Sequence, residues 1–316
     1  MPDDEMCKGR VILYDLEAQI SEKEQNMYKM EELVSKELKG PVTAVAPLEG
    51  YLMASMGPKL YVFYFDWNVR QLIQCSFFDT QFFIVSLTTV KNYVLYGDAF
   101  KSVHLLRWRE HGRRLTELGK DQEPLQVVRS DYLVHDSQLF ILVNDHYKNM
   151  QLFAFSGNQQ LFERVADYHV NVHVRDMVRM RSRRSRSQHL VLTAGLDGSI
   201  AMWTTVDDAM HRRLASLQQK MYTQIAHRAG LHPKAYRLFY TGATGMDQGL
   251  VGSNAAGANT VIVHKSCKKK VIDGQLLWRY IHLDSGMQRD LARQIGSQAD
   301  KIIDNLQEIQ EHCFYF

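Results

Sequence analysis

The sequence predicts a mainly β fold with a C-terminal α region: a partial WD40-like β-propeller followed by a small helical domain. Three observations predict it. An apolar strand–turn–strand unit recurs along the first two thirds of the chain. Its copies are spaced like propeller blades. After Trp203 the apolar period lengthens from two residues to three or four.

The recurring unit has four copies. They are YLMASMGPKLYVFYF from Tyr51, YVLYGDAFKSVHLLRW from Tyr93, LFILVNDHYKNMQLFAF from Leu139 and LVLTAGLDGSIAMW from Leu190. Each pairs two apolar strands across a turn rich in Gly, Asp or Asn, the signature of a hairpin. The residues opening the second strands, Lys59, Lys101, Lys148 and Gly198, are separated by 42, 47 and 50 residues, close to the period of a four-stranded blade. A half-copy, GRVILYDL from Gly9, lies 50 residues before Lys59. The β-rich runs VTAVAP, FIVSLTTV, LQVVRSDYLV and VHVRDMVRM precede the hairpins, and runs such as QLIQCSFF and LFERVADYHV follow three of them. A sandwich also buries one face of short strands, but nothing in it demands a hairpin at a fixed interval. Residues 1–206 are therefore expected to form about four blades plus a half-blade. A ring cut short is expected to expose a sheet edge and to aggregate when expressed alone.

Residues 207–316 are expected to form the helical domain. TTVDDAMHRRLASLQQKMYTQIAHRAG places Met210, Leu214, Leu217, Met221 and Ile225 on one helical face. Thr205 suits the N-cap, Asp207 and Asp208 suit the positive helix start, and Gly230 suits the stop. The stretch 241–270, which opens TGATGMDQGLVGSNAAGANT and ends KSCKKK, reads as a flexible Gly/Ala-rich insertion without a phosphate-loop pattern. Beyond it Asp273 suits a cap, Ser285 with Gln288 forms a capping-box pattern, Gly296 suits a stop, and Ser297 with Asp300 opens a last helix.

Composition narrows the function classes. A formal charge of +3 on 316 residues is too small to make the whole surface a trap for nucleic acid, so any such contact needs a local patch. No run of about 18 apolar residues occurs, so no membrane span is expected. Cys7, Cys75, Cys267 and Cys313 are scattered and form no CxxC pair, which suits a reducing compartment and disfavours a structural zinc site.

KGPVTAV, FFDTQFFI, VKNYVLYGDAFKSVHLLRW, PLQVVRSDYLVHDSQLFILVNDHYKNMQLF and ADYHVNVHV, then HRRLASLQQKMYTQIAHRAGLHPKAYRLFY and VIDGQLLWRYIHL, follow one another along most of residues 8–316. In that order they resemble the C-terminal part of the large scaffold subunits of the cleavage and polyadenylation specificity factor. That triple-propeller family is shared with the damage-specific DNA-binding protein large subunit and a splicing factor 3b subunit. The resemblance implies the third propeller and helical tail of a nuclear, non-catalytic scaffold in pre-mRNA 3′-end processing. It further implies a WD-repeat subunit and a zinc-finger subunit as partners, and pre-mRNA contacted directly or indirectly. Only the end of such chains is matched, which implies a fragment or a truncated gene model. RMRSRRSRS and the 241–270 stretch depart from the family pattern, and family function is not carried to them. The DNA-damage and splicing relatives suggest, as alternatives, a ubiquitin-ligase or splicing-type adaptor.

RMRSRRSRS holds the strongest local charge: Arg179, Arg181, Arg183, Arg184 and Arg186. These arginines can contact RNA phosphates, and phosphorylation of Ser182, Ser185 or Ser187 would weaken that contact. The competing reading is a solvated loop between two strands. Lys268, Lys269 and Lys270 form a weaker patch. His169 and His173, four apart on a β-rich run, share a face, but no third ligand is evident and ordinary strand histidines are the plainer reading. Asp197-Gly198 reads as a hairpin turn, and Trp67, Trp108, Trp203 and Trp278 as packing residues. No Ser-His-Asp, Cys-His or paired-carboxylate set occurs, so no catalytic, cofactor or metal site is assigned.

Overall fold

The computed structural model describes residues 8–19, 27–135, 138–156, 160–181, 189–227, 230–237, 240–242, 261–263 and 270–314. Successive antiparallel sheets are followed by short helices, the architecture of a partial β-propeller with a helical C-terminal region. The chain divides into two compact units, Met1–Ser130 with Ser156–Phe162, and Asp131–Phe155 with Glu163–Phe316.

The first unit opens with a hairpin of β1 (Gly9–Gln19) and β2 (Met27–Leu38). The half-copy GRVILYDL is β1. The charged segment MYKMEELVSKEL is its partner, missed in the sequence because Lys36 takes the inward position between Val34 and Leu38, its amine over the Phe63 ring, and so breaks the apolar alternation. The Val34, Leu38 and Val11 side chains pack with Ala54, Phe63 and Leu72. Two four-stranded sheets follow in chain order: β3 (Val42–Leu48), β4 (Tyr51–Met56), β5 (Lys59–Asp66) and β6 (Gln71–Asp79), then β7 (Ile84–Val90), β8 (Tyr93–Asp98), β9 (Ser102–Arg109) and β10 (Arg114–Lys120). Leu48, Met53, Leu60 and Val62 pack with Ile84, Val94, Tyr96, Leu106, Trp108 and Leu115 in one core.

Hydroxyl bonds link the first strands of successive sheets. Thr43 Oγ1 donates to the Ile84 carbonyl at 2.6 Å, and Thr88 Oγ1 donates to the Ser130 carbonyl at 2.9 Å. The same strand-to-strand contact thus recurs one sheet later, as radial repetition requires.

β11 (Val127–His135), β12 (Gln138–Asp145), β13 (Asn149–Ser156) and β14 (Leu161–His169) form a third four-stranded array, which with β7–β10 counts as one eight-stranded sheet. Within the first unit, the end of β10 meets the start of β14 in a single parallel bridge, Lys120 to Leu161. Among the described residues the last large sheet has three strands: β15 (Val174–Arg181), β16 (His189–Gly195) and β17 (Ile200–Trp203). In the second unit Leu133, Leu142 and Met150 pack with Val174, Met177 and Val191.

The hairpin turns use one device. Asp98 accepts the N–H groups of Phe82, Phe100 and Lys101 at 3.0, 2.9 and 3.1 Å. Asp145 accepts the Asn149 N–H and side-chain amide, both at 2.8 Å, and the Gln151 amide at 3.1 Å. Asp197 accepts the Ser199 N–H at 3.0 Å and hydroxyl at 2.6 Å, and Gly198 takes φ 82° as the expected turn requires. His169 ends β14, and Asn171 at φ 65° turns the chain before His173. His169 and His173 therefore do not share a strand face, because the left-handed residue between them breaks the alternation.

The helices are α1 (Asp208–Gln224), α2 (Pro233–Tyr236), α3 (Gly274–Trp278), a 3-10 turn (Arg279–His282), α4 (Ser285–Gln294) and α5 (Ala299–Phe314). Their core joins Leu214, Leu217 and Met221 with Leu276, Leu277, Tyr280, Leu291, Ile302 and Leu306. Asp273 caps α3 as expected, accepting the Leu276 N–H at 3.2 Å. Other caps differ. Asp207 caps α1 by accepting the Met210 N–H at 2.9 Å, while the Thr205 hydroxyl is engaged with His135 Nδ1 at 2.9 Å. The helix stops at Gln224, well before Gly230, because His227 and His232 both reach the Tyr222 carbonyl, at 2.9 and 3.1 Å. Asp284 caps α4 in place of Ser285, and Gln288 turns instead to the Tyr280 and Ile281 carbonyls. The Ser297 hydroxyl is buried without a partner, so it caps nothing.

Most of the 241–270 insertion, including Lys268 and Lys269, lies outside the described residues. Tyr240–Gly242 (β18) and Val261–Val263 (β19) pair across it, and the Lys270 carbonyl bonds His211 Nε2 at 3.0 Å.

Candidate nucleic-acid interface

Of the five arginines singled out in the sequence, Arg179 and Arg181 lie on β15. Arg183, Arg184 and Arg186 fall outside the described residues, as do Ser182, Ser185 and Ser187. The strand alternation gives Arg179 and Arg181 the same side of β15, yet their environments differ. The Arg179 side chain is 24% exposed, with Nη1 3.8 Å from Asp131 Oδ1. Its guanidinium also lies 5.9 Å from the Tyr132 ring centroid. Arg181 is exposed at the strand end.

Electrostatics follow from this placement. Burial pushes the Asp131 carboxyl above its usual range, and Arg179 and the Tyr132 N–H partly pull it back. Across the ladder, Arg179 pairs with Val191 and Arg181 with His189. Burial first, and then Arg179 and Arg181, lower the His189 pKa, so this imidazole stays neutral at neutral pH and adds no charge to the patch. What β15 offers a phosphate is thus an exposed guanidinium at Arg181, with Arg179 already facing a carboxylate.

Two arrangements in the second unit had no signal in local spacing. Arg237 donates to the Val170 carbonyl at 2.6 Å, pairs with Asp273 at 3.5 Å and covers the rings of Tyr168 and Tyr236 at 5.0 and 5.2 Å. One guanidinium thereby ties the end of β14 to the cap of α3. The second is a cavity of about 1030 Å³ lined by Leu133, Phe140, Met202, Trp203, Leu277 and Leu306 among others. Trp108 is buried and Trp203 and Trp278 are partly buried, whereas Trp67 is 71% exposed against Phe65. Among the described residues no group of three or more His, Cys, Asp or Glu could hold a metal ion.

Comparison with known proteins covers the same length. The family described as CPSF A subunit region matches residues 1–282. "Probable cleavage and polyadenylation specificity factor subunit 1" of Oryza sativa subsp. japonica is 33% identical over 97% of this chain and 20% of its own length. The Arabidopsis thaliana and Drosophila melanogaster proteins named for the same subunit are 31% and 29% identical, over 97% and 99% of this chain. The chain spans about a fifth of the length of these curated relatives. With blade-like sheets, a helical C-terminal region and a family match over most of its length, the chain belongs to the CPSF A subunit family.

Proposed function

We propose that this chain serves as a non-catalytic scaffold in pre-mRNA 3′-end processing, in the nucleus, organising subunits of the cleavage and polyadenylation machinery. The observation that carries the reading is the match across almost the whole chain to relatives named for that factor. Its partners are a WD-repeat subunit and a zinc-finger subunit. Residues 1–206 form the propeller portion and residues 207–316 the helical domain. Rigid antiparallel sheets with variable turns suit this role, because the turns can change without disturbing the cores beneath them. Co-expression tests it. The full chain is expected to co-purify with the WD-repeat and zinc-finger subunits, and failure to retain either one refutes the scaffold reading.

RNA contact through the arginine-rich segment is the second reading, supported by the exposure of Arg181 and the density of arginine after it. Arg181, Arg183, Arg184 and Arg186 face the phosphates, with Arg179 steadied by Asp131. Binding of single-stranded RNA should weaken with salt and drop about tenfold or more when all five arginines become alanine. Unchanged affinity in that variant removes the segment from RNA binding and leaves the scaffold reading intact.

A further inference from the structure

Three arginines share one face of the strands β7–β10. Arg107 and Arg109, the sixth and eighth residues of β9, alternate along the strand, and Arg114 on β10 stands directly opposite Arg109. Leu106, Trp108 and Leu115 take the other face and lie in the core with Leu48 and Leu60. All three arginines are exposed. The sixth and eighth residues of β5 are Tyr64 and Asp66, and those of β13 are Ala154 and Ser156. The strand pattern itself therefore does not call for arginine here.

Like charges directly opposite one another destabilise a sheet. On other sheets a cation meets a carboxylate: Lys59 lies 3.2 Å from Asp79, and Arg179 lies 3.8 Å from Asp131. Among the described residues Arg107, Arg109 and Arg114 form no ion pair. Glu110 stands in the turn between them without pairing to any of the three, and Glu117 on β10 is engaged by His104 at 3.2 Å. Covering this face with a protein surface that brings no carboxylates would bury unpaired guanidiniums, which is strongly unfavourable. An extended anion fits it. Tyr93 on β8 is directly opposite Arg107 and partly exposed, so an aromatic ring stands in the same row as the charge. Guanidiniums for phosphates and a ring for bases together hold single-stranded nucleic acid, whereas an acidic peptide uses the charge alone.

We propose that the face formed by Arg107, Arg109 and Arg114 binds single-stranded RNA, the three guanidiniums holding phosphates and Tyr93 stacking on a base. These residues belong to the first compact unit, whereas Arg179 and Arg181 belong to the second. The choice of RNA rests on the pre-mRNA reading above, while the need for an anion rests on this sheet alone. Contacts to backbone and ring carry little sequence information, so the face adds affinity rather than signal recognition.

Fluorescence polarisation of labelled oligouridine with the full chain, at several salt concentrations, tests it. The triple variant Arg107→Ala, Arg109→Ala, Arg114→Ala is expected to bind about tenfold more weakly or worse. Its plot of log affinity against log salt should be shallower by about two, the share of three phosphate contacts on a single strand. Its urea midpoint should not fall, because Arg109 and Arg114 repel each other, so weaker binding does not come from unfolding. Tyr93→Leu should weaken binding severalfold and leave the salt slope unchanged. A charge-matched variant, Arg70→Ala, Lys101→Ala, Arg113→Ala, removes exposed cations elsewhere, Arg113 lying towards β5 with its guanidinium 5.5 Å from the Tyr64 ring centroid. It should keep nearly wild-type affinity. Unchanged affinity in the first variant, or equal losses in the two triple variants, overturns the proposal. Loss confined to the variant lacking Arg179, Arg181, Arg183, Arg184 and Arg186 overturns it and leaves the earlier RNA reading standing. Tighter binding of polyglutamate than of oligouridine at this face assigns it to an acidic protein and overturns it too.

Discussion

The sheet β7–β10 and the sheet β15–β17 begin from the same sequence unit and end in different physical states. In the first, Trp108 closes the third strand at 1% exposure and packs edge-on against Tyr51 at 5.2 Å. In the second, Trp203 ends the third strand but is only partly buried, beside a cavity. The turn carboxylates diverge in the same way: Asp98 is fully buried and Asp197 is exposed. Local sequence makes the hairpin. A fourth strand and a neighbouring sheet turn it into a core.

The largest expected effect tests that difference directly. Trp108→Ala should cost about 3–5 kcal/mol in urea unfolding, as truncation of a buried aromatic does, and Trp203→Ala about half as much. Equal losses would mean that the two sheets are equally packed and would break the comparison.

Next come the turn carboxylates. Asp98→Ala removes a buried carboxylate that accepts three part-buried N–H groups, from Phe82, Phe100 and Lys101, and should cost about 3 kcal/mol. Asp197→Ala should change the unfolding midpoint far less, because water can replace the lost acceptor at an exposed turn. A midpoint shift at Asp197 matching that at Asp98 would contradict the contrast.

The smallest effect appears in pH dependence. Burial raises Asp145 to about 6 against the hydrogen bonds from Asn149, and burial lowers the pKa of His169 to about 4. The two are linked, since Asn149 bridges the Asp145 carboxylate and His169 Nδ1. The stability contributed by Asp145 is complete below its unfolded value and is lost as pH rises through about 6. That of His169 is complete above 6.5 and is lost as pH falls through about 4. Between those limits the slopes oppose, so wild-type stability should be nearly flat. His169→Gln should expose a decline with rising pH on the order of 2 kcal/mol, and Asp145→Asn a rise of similar size. At exposed Asp197 the hydrogen bonds from Ser199 lower the pKa instead. Its contribution is present above the ordinary carboxylate range and lost only as pH falls through the depressed value. Urea midpoints across pH 3 to 8 separate the cases (about one pH unit per step suffices).

Much of the architecture was legible in short stretches. The residues chosen as second-strand openers fall at or within two residues of the starts of β5, β9, β13 and β17. Asp273 caps where spacing placed it. Thr205 and Ser285 did not, because Thr and Ser compete with aspartates one or two positions away. Which oxygen faces the helix depends on how Leu214, Leu217 and Leu291 must turn to reach their core. The charged strand β2 was hidden because its apolar residues matter only against β1 and the adjacent sheet. For the arginine-rich segment, sequence located the charge, while Asp131, 48 residues from Arg179, determines what the first guanidinium faces.

Sequence by itself determined the strand and helix periods, the turn chemistry and the family, because each is written in contiguous residues. Only tertiary structure decided that β17 is the outermost strand of its sheet among the described residues, that Arg237 joins β14 to α3, and that a cavity opens beside Trp203. Those outcomes depend on groups far apart in the chain, whose pairing follows from burial and hydrogen bonding rather than from spacing.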